Sequence, residues 1–223
     1  MLGDSHAGVF EYIFDNDLFP PHLINCDIVG GATAYGLNND QSVTGAFQKF
    51  CHALHRFPNY RTVFIMLGEV DCSFALWNRA ARQNSSASEQ IPHAIHGIER
   101  LLDWAAVHAP SRKFVLIGSI LPTIKDHQAD QQEFELRRRI KATQRERTEL
   151  ALAFNAALKA LAVKRGIPYI DISDATMDPV SGVVSDDFLV DVGVDHHQSQ
   201  SKTAHLWVRE LRKLQDAANT ACQ

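Results

Sequence analysis

Thr62-Val63-Phe64-Ile65-Met66-Leu67-Gly68-Glu69-Val70-Asp71 runs apolar from Val63 to Leu67 and then breaks at once into a glycine and two carboxylates. A short, continuous apolar run rich in β-branched and aromatic residues is what a strand buried on both faces needs, and such strands belong to parallel sheets covered by helices. Polar residues packed against the end of such a strand lie where open parallel sheets place their ligand chemistry.

Three further stretches repeat the pattern. Leu23–Val29 is a largely apolar run closed by Gly30-Gly31, Lys113–Ile117 is an apolar run closed by Gly118, and Ile167–Ile172 is a final short run. Helical spacing fills the intervals. It predicts helices from Ala7 to about Phe14, with Val9, Phe10, Ile13 and Phe14 on one face, and from Ser42 to about Arg56, with Val43, Ala46, Phe47, Phe50 and Leu54. Pro20-Pro21 follows the first of these as a stop. Another helix carries Ile95, Ile98, Leu101, Leu102 and Ala105 after a polar loop at Gln83–Gln90. A long one spans about Gln131–Arg165, with Leu150, Phe154, Leu158 and Leu161 in its second half and Gly166 as its stop; the last covers about Gln200–Ala217, with Ala204, Trp207, Leu211 and Leu214. Strands alternating with helices imply parallel pairing through crossovers, hence an α/β fold: a three-layer α/β/α sandwich with a parallel, flavodoxin-like sheet.

The 223 residues contain no Pro/Gly/Ser-rich linker, which implies one domain over residues 1–223. With 45% hydrophobic and 22% charged residues the chain can build an ordinary core. A net charge of −4 gives no general attraction to nucleic acid or anionic membrane. Cys26, Cys51, Cys72 and Cys222 show no C-x-x-C spacing, so neither a zinc site nor a disulfide framework is signalled, and a cytoplasmic setting is expected. The start lacks a signal peptide's charged and apolar regions. Only Met1 and Leu2 precede the first turn, where a strand of about five residues is usual, so the first strand reads as truncated and a natural start upstream is expected.

That first turn, Gly3-Asp4-Ser5-His6, sets a serine between an apolar start and a helix. A hydroxyl nucleophile needs a base within hydrogen-bond reach and N–H groups for a developing oxyanion, and a strand-to-helix turn supplies the latter. Asp191-Val192-Gly193-Val194-Asp195-His196-His197, just before the last helix, supplies imidazole and carboxylate together. Ser5, Gly31 and the Gly68–Asp71 block all fall at strand ends, so they converge on one rim.

In this order of blocks the chain resembles the SGNH, or GDSL-type, hydrolases. Gly3-Asp4-Ser5 matches their first block, Gly31-Ala32-Thr33 their second and Gly68-Glu69-Val70-Asp71 their third, while the last segment stands where the family has Asp-x-x-His. The resemblance implies Ser5 as nucleophile and oxyanion donor, and the Gly31 N–H as second donor. His197 would be the base and Asp195 the acid that orients it, with His196 and Asp191 as alternatives. It also implies hydrolysis, or transfer, of an acyl ester of a glycan, lipid or small alcohol, without a cofactor or metal. Val70 departs from the family's oxyanion asparagine, and neither histidine has an acid three residues before it. An acetyl ester on a glycan is the expected substrate. A non-catalytic glycan-binding or assembly protein and an O-acyltransferase stand as alternatives.

Other features carry two readings. His196, His197 and Asp195 suit half a zinc or iron site. His93 and His96 have ligand spacing on one helix but read as a solvated face, and Cys72 beside Asp71 reads as a structural thiol. Arg137-Arg138-Arg139, Lys141, Arg145 and Arg147, interleaved with Glu133, Glu135, Glu146 and Glu149, read as an exposed salt-bridged helix more than as an anion site.

Overall fold

In the computed structural model, which describes residues 1–128, 140–193 and 195–220, the apolar run becomes β3 (Thr62–Met66), the middle strand of a five-stranded sheet. Its neighbours are β1 (Leu2–Gly3) and β4 (Lys113–Ile117); β2 (Asp27–Ile28) and β5 (Tyr169–Ile170) form the edges, giving the order β2-β1-β3-β4-β5. All four pairings are parallel, with Leu2 opposite both Asp27 and Ile65. The predicted α/β/α architecture is the observed one.

The period-two alternation of the strands sorts their side chains between two cores. Val63, Ile65 and Leu116 face one layer, where they meet Phe50 and Leu54 of α2 (Ala46–Arg56), Ile98 and Leu101 of α4 (Ile91–His108), and Phe154 and Leu158 of α5 (Gln144–Arg165). Met66, Val115 and Ile117 face the other, against Phe10 and Ile13 of α1 (Gly8–Asp15) and Trp207 and Leu211 of α7 (Gln200–Thr220). No helix of the described residues is long and apolar enough to cross a membrane.

Several boundaries move from the sequence reading, each for a local reason. Helix α2 starts at Ala46, after Gly45 in the left-handed region at φ 59°, so Val43 lies outside it and is fully exposed. The long helix starts at Gln144, where Thr143 and Glu146 form a reciprocal capping box; the stretch predicted helical from Gln131, including Glu133, Glu135 and Arg137-Arg138-Arg139, lies at residues 129–139, outside the described residues. Arg147 is buried rather than part of an exposed face, donating to the carbonyls of Ile124 at 2.6 Å and Thr143 at 3.3 Å. After the third block the chain also forms a helical segment that the periodicity does not predict: a π turn at Asp71–Ala75 followed by α3 (Leu76–Gln83).

Two glycines shape the first and third blocks. A Cβ on Gly3 would stand 2.7 Å from both the Ala7 Cβ and the Met66 carbonyl oxygen, so only glycine lets the Ser5 turn fold back onto β3. Gly68 combines φ +129° with close contact to the Phe154 ring.

Candidate active site at the carboxyl edge of the sheet

Gly3 ends β1 and the chain turns at once. Asp4, buried, accepts the His6 backbone N–H at 3.0 Å through its carboxylate and so caps a 3-10 turn, Ser5–Ala7, that runs into α1. Ser5 is thus held at the edge of the sheet, half-buried, as the first residue of a turn whose next two N–H groups, of His6 and Ala7, bond back to Asp4.

The last loop comes to the same place. Thr123, in the segment after β4, donates to the Asp195 carbonyl at 2.9 Å, and Gln198 donates to the Leu121 carbonyl at 3.4 Å. Ser199 N–H donates to the Phe188 carbonyl at 2.8 Å, which closes the loop at the start of α7. Within it the Asp195 carboxylate accepts both the His197 backbone N–H at 2.9 Å and the ring Nδ1 at 2.7 Å. A carboxylate only accepts, so Nδ1 carries the hydrogen and Nε2 is the basic nitrogen. Ser5 and His197 line one small cavity together with His6, Val9, Ile120, Gln198, Gln200, Thr203 and Trp207.

The alternatives separate on geometry. Asp191 is exposed and pairs with Lys202 at 2.6 Å, away from either histidine. His196 reaches the same Asp195 oxygen only at 3.5 Å, beyond the 2.7 Å of His197. Burial lowers the pKa of His197 and the nearby His6 lowers it further, against the opposing pull of Asp195. Burial would raise that of Asp195, but the two N–H bonds from His197 and the neighbouring imidazoles hold it below the ordinary value.

A second imidazole–carboxylate pair, which the sequence reading does not contain, joins the residue after Ser5 to the third block. His6 Nε2 is 2.8 Å from Glu69 Oε2, and Ser73 donates to Glu69 Oε1 at 2.5 Å. Both side chains are almost wholly enclosed, 2% and 1% exposed. The sequence carries the signal: His6 follows Ser5 and Glu69 sits inside the third block, so a single β1–β3 contact joins them. The His6 ring stands 4.5 Å from that of His197 and 5.5 Å from that of His196, centroid to centroid.

The third block also fixes the second. Asp71, fully buried, accepts the N–H groups of Ala34 at 2.7 Å and Tyr35 at 3.0 Å, which anchors the loop that begins at Gly31. Gly31 turns at φ +71°, three residues past the end of β2, the edge strand that pairs with β1. Burial raises the pKa of Asp71 to about 7 in spite of these bonds. Cys72 is enclosed, and burial together with Asp71 and Glu69 holds its thiol well above the ordinary range, so it is a packing residue. His93 and His96 are both exposed on α4, where His96 Nδ1 bonds Asn38 Oδ1 at 2.6 Å. A larger apolar cavity of about 700 Å³, lined by Phe10, Phe19, Phe64, Phe114 and Leu211, opens at the opposite, amino end of the strands. It holds none of these groups.

Neither a protein-family model nor a curated protein matches the sequence. Solved structures do match in shape. The GDSL-like lipase from Bacteroides thetaiotaomicron VPI-5482 superposes with a TM-score of 0.59 at 15% identity, over 97% of this chain and 86% of its own. The M. Smegmatis aryl esterase gives 0.53 at 13% identity, over 86% and 80%. At such identities the likeness is one of architecture, and the chain has the three-layer α/β/α fold of the SGNH, or GDSL-type, hydrolases.

Proposed function

We propose that the protein is a serine ester hydrolase that works through an acyl-enzyme on Ser5. The observation that carries this reading is the 2.7 Å Asp195–His197 bond, on a histidine that shares one cavity with Ser5. Ser5 Oγ attacks the ester carbonyl while His197 Nε2 takes its proton; the resulting imidazolium is stabilised by Asp195 and returns the proton to the departing alcohol. Water then repeats the sequence on the acyl-enzyme. Negative charge on the carbonyl oxygen falls to the backbone N–H groups of Ser5 and Gly31.

The cavity's size bears on the acyl group. At about 10 Å³ it holds roughly one water and no acyl chain, so the acyl group would lie at its mouth rather than inside it, and acetyl remains our reading from the sequence. The alcohol half would extend into solvent past the exposed Gly30-Gly31 turn, an arrangement that suits an acetylated glycan. Val70 in place of a side-chain donor favours the second reading, a non-catalytic glycan-binding protein on the same fold.

A fluorophosphonate probe decides between them. Stoichiometric labelling of the wild type that is absent from Ser5→Ala is the expected result; labelling no higher than that of Ser5→Ala overturns the enzyme reading. Transfer in place of hydrolysis would appear as acetylated sugar when a saccharide competes with water for the acyl-enzyme.

A further inference from the structure

Three imidazoles meet at the serine from two distant segments: His6 from the first turn, His196 and His197 from the last loop. One ring nitrogen from each lies within 4.8 Å of the others. A zinc ion bound at about 2.0–2.1 Å to three nitrogens in tetrahedral geometry needs them about 3.3 Å apart. The rings must therefore close by about 1.5 Å or less, and His196, with a third of its side chain exposed on a loop, has the freedom to do so. Two of the three rings are already gripped by carboxylates, His6 by Glu69 at 2.8 Å and His197 by Asp195 at 2.7 Å. That carboxylate–imidazole pairing is how metal-ligating histidines are oriented and made more basic. Glu69 is itself fixed by Ser73 at 2.5 Å, so the deepest ligand is also the most rigidly set.

From this convergence we propose that His6, His196 and His197 form a binding site for a divalent transition metal of the zinc class, with water in the fourth position, and that the bound ion switches off the serine site by taking the Nε2 of His197. The donor set selects the ion, since three neutral nitrogens suit zinc, copper or nickel and not magnesium or calcium. The binding half stands by itself; the inhibitory half rests on His197 acting as the base for Ser5. His93 and His96, one helical turn apart on α4 but committed to other contacts, provide an internal control.

The test uses the full chain, zinc ions for calorimetry and cobalt(II) as a spectroscopic reporter. One equivalent of zinc should bind, and cobalt should give the visible bands of a four- or five-coordinate site. His196→Ala should weaken zinc binding at least tenfold, Glu69→Gln roughly 10- to 100-fold through the loosened His6 ring, and His93→Ala not at all. Repeating the titration on Ser5→Ala should leave the affinity within about threefold, which separates metal binding from esterase chemistry. Zinc should abolish fluorophosphonate labelling of Ser5, and a chelator should restore it. Unchanged affinity in His196→Ala, or an equal loss in His93→Ala, overturns the site. Full binding with undiminished labelling of a reactive Ser5 overturns the inhibition alone.

Discussion

The two imidazole–carboxylate pairs that flank Ser5 have nearly the same length, 2.7 Å for His197–Asp195 and 2.8 Å for His6–Glu69, yet differ in how far water reaches them. The first is 27% and 42% exposed at its two side chains, the second 2% and 1%. An exposed pair gives up little when one partner is removed, because water replaces the lost bond. Removing one partner of a buried pair strands a polar or charged group where nothing else solvates it. The same two residue types are therefore suited to opposite tasks: His197 is open enough to serve as the base that the proposed function requires, while His6 and Glu69 hold the first and third blocks together.

The largest expected effect is on turnover. His197→Ala should lower kcat/KM for an activated acetyl ester by about 10³ or more, roughly 4 kcal/mol of transition-state stabilisation, with thermal stability changed by no more than about 1 kcal/mol. His196→Ala should cost far less; a reversed ranking would exchange their roles. The buried pair should answer in the opposite currency. Glu69→Ala should destabilise the fold by about 3–5 kcal/mol, a fall in Tm of roughly 10 °C by calorimetry. A loss below 1 kcal/mol would mean that burial makes no difference between the pairs, and the contrast would fail.

The sheet was legible in the sequence because a buried parallel strand leaves a local mark: Val63–Leu67 is apolar throughout, and the polar block beginning at Gly68 shows where it ends. Helix α2 was misplaced at its start because the boundary depends on the left-handed conformation of Gly45, which composition does not reveal. The pairing of His197 with Asp195, two residues apart, could be read from adjacency, since the loop need only curl on itself. His6 and Glu69 are 63 positions apart and meet only because β1 and β3 pair in parallel with Gly3 beside Met66, a register that no single segment encodes. Burial was equally invisible. A glutamate within a polar block reads as solvated until the fold closes over it.

Val70 tests whether the open flank lacks a donor. If two N–H groups carry the oxyanion, Val70→Asn should raise kcat/KM, with an upper bound of about 10² to 10³, the usual contribution of a side-chain donor. Val70 is half-buried at the start of the π turn, so the substitution should cost little stability. A fall in activity would show that the hole is already complete and that another group, rather than an asparagine at this position, supplies the third contact. Ser5→Ala is the blank for both measurements.

The last effect concerns Asp71, a buried carboxylate in the same block as Glu69 that accepts two backbone N–H groups. Its pKa is raised from 3.8 to about 7, so the folded protein holds this proton more tightly than the unfolded chain does. The sign follows from proton linkage: the contribution to stability is full below about pH 4 and is lost as pH rises through the folded value near 7, with a slope of at most about 1.4 kcal/mol per pH unit. Other carboxylates are shifted the opposite way, Asp195 among them, so the measurement is the difference between wild type and Asp71→Asn in urea unfolding from pH 4.5 to 8. The variant should be less stable at low pH by about 1 kcal/mol, because its amide turns an N–H donor toward one of the two backbone N–H groups, and the gap should close and then reverse as pH rises toward 7. A gap that widens with pH would show that the two N–H groups hold Asp71 ionised against burial. The loop carrying Gly31 would then be tied to β3 by charge rather than by a shared proton.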